Sequence, residues 1–181
     1  MTLRAGEVFE NPKTGSRLEI VSTPRDGDRN ALVAERLLKP DTGRADAHIH
    51  HDFEHRFAVM DGQLTLELDG EKRSFGAGEE VSVPIRTPHM DPYNDGDEDL
   101  RFRTEFEPAT EFVEGFTAAF GHLLREGRTN DQDFPPDGQL FVCLHAYKGK
   151  SYAAGPPIWL QKPVLPLLAL IGRVRGYKPS Y

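Results

Sequence analysis

The chain has 181 residues, a net charge of −7 at pH 7 and 38% hydrophobic residues, values that suit one globular domain with a single substantial core. The acidic balance argues against nucleic acid as a partner, because binding a phosphate backbone needs a basic face. The single cysteine, Cys143, excludes a disulfide within the chain. The N-terminal residues contain no apolar signal core, so we expect a cytoplasmic protein that does not bind a membrane.

The first part of the chain predicts short antiparallel strands. Turn-forming residues at 11–15 separate residues 7–10 from the alternating segment 17–21, which is typical of a hairpin. After a second turn, residues 31–38 alternate again, with Leu32, Ala34 and Arg36 on one face. We predict three strands before the first histidine.

The middle of the chain continues this pattern. Leu64, Leu66 and Leu68 alternate with polar residues, and Asp69-Gly70 forms a tight turn into the next strand. Further alternating segments follow up to residue 106. Many short strands at this spacing predict a barrel or a sandwich.

Four histidines predict a metal site. His48 and His50 are two positions apart, so they share one face of an extended strand, and His55 and His89 supply further imidazoles. Neutral imidazole binds divalent transition metals, and a mononuclear site usually takes three or four protein donors. We therefore predict that His48, His50, His55 and His89 bind iron, nickel, manganese, copper or zinc.

The two histidine-containing stretches resemble the two motifs of the cupin superfamily. The positions that match the motifs are His48, His50, Gly62, Gly78, Pro84 and His89. The departures are small shifts at Gly43 and Asn94, and an arginine, Arg86, where the second motif has glycine. The resemblance implies a mainly β fold: a cupin-type double-stranded β-helix, or jelly-roll barrel, over residues 1–107, with a C-terminal helical extension over residues 108–181.

The position of the motif glutamate is ambiguous. Counting back from Gly62 places His55 where the family has glutamate, whereas Glu54 fits only with a shorter spacer. Position 55 shares its face with Phe57, which suits a barrel interior, and position 54 shares its face with Arg56, which suits solvent. We favour His55 as the ligand, in a four-histidine site, and keep Glu54 as the alternative ligand or as a catalytic base.

Helices are predicted after residue 108. Thr110 is a candidate N-cap for a helix that ends near Gly127, a second helix precedes Gly149, and Pro163 and Pro166 should kink or interrupt a third. The apolar run at residues 164–171 is too short to span a membrane. We expect this extension to pack on the barrel or at the interface of a homodimer.

The resemblance implies chemistry on a small molecule. We expect a metal-dependent oxidoreductase that resembles the quercetin dioxygenase-like cupins and acts on a small, partly apolar molecule. The alternatives are an isomerase or lyase, and a non-catalytic module that binds or senses a small ligand and whose metal is structural. The predicted pocket walls are Phe57, Val59, Leu64, Leu66, Val81, Val83 and Phe102.

Overall fold

The computed structural model of the protein describes residues 2–180, which form eleven strands and three helices. The strands are β1 (Val8–Glu10), β2 (Arg17–Ser22), β3 (Leu32–Leu38), β4 (His48–His50), β5 (Glu54–Asp61), β6 (Gln63–Leu68), β7 (Glu71–Gly76), β8 (Glu80–Val83), β9 (His89–Tyr93), β10 (Leu100–Glu107) and β11 (Ser151–Ala153). The helices are α1 (Glu111–Arg125), α2 (Asp137–Ala146) and α3 (Ile158–Val174).

The strands form two antiparallel sheets. One has the order β1-β2-β3-β10-β5-β8, and the other has the order β11-β4-β9-β6-β7. From β3 onward the chain crosses repeatedly between the two sheets, which is the connectivity of a jelly roll. The predicted fold class, a mainly β jelly-roll barrel followed by helices, is confirmed, as are the hairpins β1-β2 and β6-β7.

Two hydrophobic clusters stabilise this arrangement. One fills the space between the sheets with side chains from β3, β5, β6, β8 and β10. The other joins the inner faces of β1, β2 and β3 to the apolar faces of α1 and α2, and it includes Phe9, Leu18 and Phe112. Because these helices contribute to a shared core, they close one end of the barrel.

The helix boundaries follow local signals in the sequence. The Thr110 side chain accepts a hydrogen bond from the backbone N–H of Val113, which caps α1 as predicted. The predicted interruption of α3 is wrong, because the helix continues through Pro163 and Pro166. Each proline removes one backbone donor, and both prolines lie on the exposed side of the helix, where water can solvate the freed carbonyls.

None of the helices in the described residues has both the length and the apolar character that a membrane crossing requires.

Candidate metal centre

Two neighbouring strands bring four potential metal ligands together. Strand β4 carries His48 and His50, and β9 carries His89 and Asp91. The strands are antiparallel, with His48 opposite His89. Because residues two apart share a face of a strand, all four side chains converge, and their donor atoms lie within 4.8 Å of one another.

Hydrogen bonds orient the histidine rings. His48 Nδ1 donates to the carbonyl of Asp46 at 2.8 Å, and His89 Nδ1 donates to the carbonyl of Thr87 at 2.9 Å. A carbonyl can only accept, so each Nδ1 carries the proton and each Nε2 presents its lone pair to the cluster. His50 Nδ1 is held from β11, 2.8 Å from the Ser151 hydroxyl.

The donors fit a metal ion. His48 Nε2 and His50 Nε2 are 3.2 Å apart. Two nitrogens at about 2.1 Å from one ion are roughly 3.0 Å apart at a right angle and roughly 3.4 Å apart in a tetrahedron. Among the described residues, the buried atoms His89 Nε2 and Asp91 Oδ1 have no hydrogen-bond partner, although buried polar atoms almost always have one. Imidazole and carboxylate donors together suit a divalent transition metal.

Burial keeps these histidines in the form that binds metal. It lowers the pKa of His50 well below its ordinary value and also lowers the pKa of His89, so both rings are neutral at pH 7. Burial alone would raise the pKa of Asp91, but interactions with His48 and the other nearby histidines outweigh it, and the net shift is downward. The carboxylate is therefore ionised and available as a donor.

His55 lies beside this group rather than within it. Its Nε2 is 2.7 Å from the Thr104 hydroxyl, and its Nδ1 is 3.6 Å from Asp91 Oδ1. The ring is sandwiched between Phe57 and Phe106, with centroid distances of 4.1 and 4.0 Å, and burial lowers its pKa to about 3. A neutral His55 can therefore direct an N–H at Asp91.

The structure thus brings together three of the four predicted histidines and a carboxylate, instead of four histidines. His55 projects from β5 in the opposite sheet, which accounts for its separate position. Glu54 occupies the other face of β5, where its Oε1 accepts a hydrogen bond from Arg56, and it does not line the cavity beside the cluster. Sequence reasoning missed Asp91, although its spacing from His89 repeats that of His48 and His50.

A cavity of about 670 Å³ opens onto the cluster. His48, His50, His55 and Asp91 contribute to its lining. Most of the remaining wall is aromatic or aliphatic, and the aromatic part includes Phe57, Phe102 and Phe106 from the barrel and Phe112, Phe116 and Phe120 from α1. Helix α3 adds Leu160, Val164 and Leu168. The helical extension therefore supplies much of the cavity wall.

The predicted pocket residues fall into two groups. Phe57 and Phe102 line the cavity. The other five pack in the cluster between the sheets, away from the cavity: Val59, Leu64, Leu66, Val81 and Val83. Strand alternation identifies inward-facing residues, but it does not show which end of the barrel the helices enclose.

Comparison with known proteins gives a family match and one match to a characterised protein. Residues 35–106 match the family model described as a cupin domain. A stretch of 50 residues, 26% of this chain, is 40% identical to quercetin 2,3-dioxygenase of Bacillus subtilis, and it spans only 15% of that protein's length.

Solved structures give further matches at low identity. KdgF from Halomonas sp. is 18% identical with a TM-score of 0.47, over 61% of this chain and 94% of that one. A predicted oxalate decarboxylase from Thermotoga maritima is 18% identical with a TM-score of 0.47, over 59% of this chain and 97% of that one. The family match at residues 35–106 contains all four residues of the His/Asp cluster, on the strands of a jelly-roll barrel, so this part of the chain is a cupin domain.

Proposed function

We propose that the protein is a metal-dependent oxidoreductase of the dioxygenase-like kind that acts on a small, partly apolar organic molecule. One observation carries the proposal: the His/Asp cluster borders a large, mostly apolar cavity instead of being enclosed in the core. A cavity of this size and lining suits a small organic ligand. The short match to quercetin 2,3-dioxygenase supports the same reaction class.

His48, His50, His89 and Asp91 would hold the ion, which would be iron, nickel, manganese, copper or zinc. When bound, it would supply Lewis-acid activation of a substrate oxygen or of dioxygen. Asp91, instead of Glu54, would accept a hydrogen bond or a proton from a substrate hydroxyl, because its carboxylate is ionised and borders the cavity. His55 would keep Asp91 oriented, and the phenylalanine walls would exclude water.

The test combines metal analysis with an oxygen-uptake assay. Purified wild-type protein should contain one equivalent of a redox-active transition metal and consume oxygen with a flavonol or a diketone. His48→Ala, His50→Ala and His89→Ala should lose the metal. His51→Ala is the matched control in the same motif: His51 contacts Tyr152 and is not in the cluster, so this variant should keep the metal. Wild-type protein without metal would refute the proposal.

A second candidate function is non-catalytic binding of a small ligand, with a structural metal. It is favoured by the number of donors, because four protein ligands would fill a tetrahedral zinc ion and leave no open position. Tightly held zinc without turnover on any substrate would support this candidate over the first. Metal-dependent isomerase or lyase activity would instead appear as substrate conversion without oxygen uptake.

We also propose that the chain forms a homodimer through α3 and acts in the cytoplasm without nucleic acid. An exposed apolar face that includes Trp159, Leu167 and Leu170 supports the dimer. The single cysteine supports the cytoplasmic location, and the net charge of −7 supports the absence of a nucleic-acid partner. Light scattering after gel filtration should give twice the chain mass for wild type and the chain mass for Leu167→Glu. Met60→Glu, which changes an exposed apolar residue on β5, should remain dimeric.

A further inference from the structure

One arginine faces the cavity with aromatic neighbours but without a hydrogen-bonding or ionic partner for its guanidinium. Arg36 projects from the inner face of β3 and is only 9% exposed. Its guanidinium carbon lies 5.0 Å from the ring centre of Phe120 and 5.9 Å from that of Phe102. Among residues 2–180, no group forms a hydrogen bond or ion pair with the guanidinium of Arg36. A buried arginine normally has such partners.

The acidic residues near Arg36 do not pair with its guanidinium. Asp133 and Asp91 are close enough to act on the charge of Arg36, but neither forms an ion pair with it. The carboxylate of Asp133 is occupied by hydrogen bonds from Asn11 and Thr14. Asp91 lies in the His/Asp cluster. Burial lowers the pKa of Arg36 to about 10, so the guanidinium is still charged at pH 7.

From this geometry we infer that the cavity binds an organic carboxylate, whose carboxyl group pairs with Arg36 while its apolar body packs against the phenylalanine walls. This inference rests on the proposed function in one respect, because it assigns the ligand class of the same cavity. A guanidinium presents parallel N–H donors that match the two oxygens of a carboxylate. Between mostly apolar walls, such a pair is stronger than the same pair in bulk water.

A carboxylate fits the charge of the cavity better than a phosphate does. A phosphate ester carries between one and two negative charges and usually takes several donors. Among residues 2–180, Arg36 is the one buried arginine or lysine in the cavity lining, and a single guanidinium supplies few of the donors that a phosphate needs. A singly charged ligand with an apolar body therefore satisfies the site.

The test uses 1-naphthoate and 1-naphthamide, which have nearly the same shape and differ in charge. Binding to metal-depleted protein is measured by calorimetry, so that no ion can ligate the carboxylate. Wild-type protein should bind the naphthoate at least about tenfold more tightly than the amide, the size expected for hydrogen bonds to a charged group. Arg36→Met should abolish this preference. Arg17→Met, the same change at an exposed arginine of β2 that pairs with Glu19 and does not line the cavity, should retain it.

For wild-type protein, the inference would be overturned by equal binding of the two ligands or by no binding of the naphthoate. It would also be overturned if the preference for the naphthoate persists in Arg36→Met, or if wild type binds 1-naphthyl phosphate more tightly than the naphthoate. The comparison of ligands on wild type keeps the test decisive if Arg36→Met does not fold, which a thermal melt would reveal. Absence of bound metal or of oxygen uptake would refute the proposed function while leaving an Arg36-dependent preference intact. Oxygen-dependent turnover of neutral substrates, without a preference for the naphthoate, would support the proposed function and refute the carboxylate inference.

Discussion

His55 Nδ1 lies 3.6 Å from Asp91 Oδ1, and this pair joins the two sheets of the barrel at the edge of the His/Asp cluster. By its spacing from Gly62, His55 falls where the cupin motif has a glutamate, with Glu54 as the alternative, yet the carboxylate of the cluster comes from β9 instead of β5. Because the other ring nitrogen of His55 is engaged by Thr104, the geometry favours Asp91 as the fourth donor, with His55 in a supporting role.

The loss of metal affinity on changing Asp91 or His55 tests this assignment. Asp91→Asn should weaken metal binding by more than about 100-fold, because it removes a charged donor. His55→Phe should weaken it by about tenfold, because it removes the ring nitrogen that lies 3.6 Å from the Asp91 carboxylate but no donor of the cluster. Competition with a chelator measures both affinities. Glu54→Gln is the control and should bind metal like wild type, because Glu54 pairs with Arg56 on the outer face. A larger loss for His55→Phe than for Asp91→Asn would make His55 the ligand.

The helical extension should influence metal affinity through Ser151. Its hydroxyl lies 2.8 Å from His50 Nδ1, and β11 reaches this position by pairing with β4. Ser151→Ala leaves the ring free to rotate, so we expect about a tenfold loss of metal affinity with an unchanged melting temperature of the metal-free protein. Ser74→Ala, an exposed position on β7, is the control. Equal affinities for the two variants would exclude this role of Ser151.

Local patterns predicted most of the barrel and the first helix. Alternating leucines specify the inner face of β6, and Thr110 before a run of apolar residues at helical spacing marks the start of α1. Both signals act between residues that are neighbours in the chain, so one sequence is enough to detect them. The continuity of α3 was not predictable in this way, because it depends on whether water or protein surrounds its prolines.

The candidate site was only partly predictable. His48, His50 and His89 lie on two strands that were recognisable from the sequence, but the contribution of Asp91 depends on how β9 aligns with β4. The alternation on β3 already placed Arg36 on the face of Leu32 and Ala34, which is an unusual position for a charge. Its meaning becomes clear only with the cavity, because α1 and α3 build the wall that it faces.

Two glycines with the same backbone conformation allow a test of the barrel packing. Gly62 and Gly70 both have φ of +79°, but a Cβ at Gly62 would lie 2.5 Å from the carbonyl oxygen of Asp99, whereas one at Gly70 would meet nothing within 4 Å. Gly70→Ala should therefore cost about 1 kcal/mol of unfolding free energy, from the left-handed conformation alone. Gly62→Ala should cost about 2 kcal/mol more, because the backbone of β10 must move. Urea unfolding measures both, and equal losses would contradict the close approach.

The barrel should not fold without the first part of the extension. The core cluster that contains Phe9 and Leu18 is completed by Phe112 and Leu124 from α1, so a chain of residues 1–107 would expose a large apolar surface at one end. We expect residues 1–107 to show no cooperative thermal transition by circular dichroism.

A chain of residues 1–155 provides the control for this truncation. It keeps α1, α2 and β11 and loses α3, of which only Ala169 and Gly172 are buried. We expect this chain to melt cooperatively at a reduced temperature, because the core cluster between the barrel and α1 remains intact. Cooperative melting of residues 1–107 would instead show that the barrel is an independent domain and that the extension only lines its cavity.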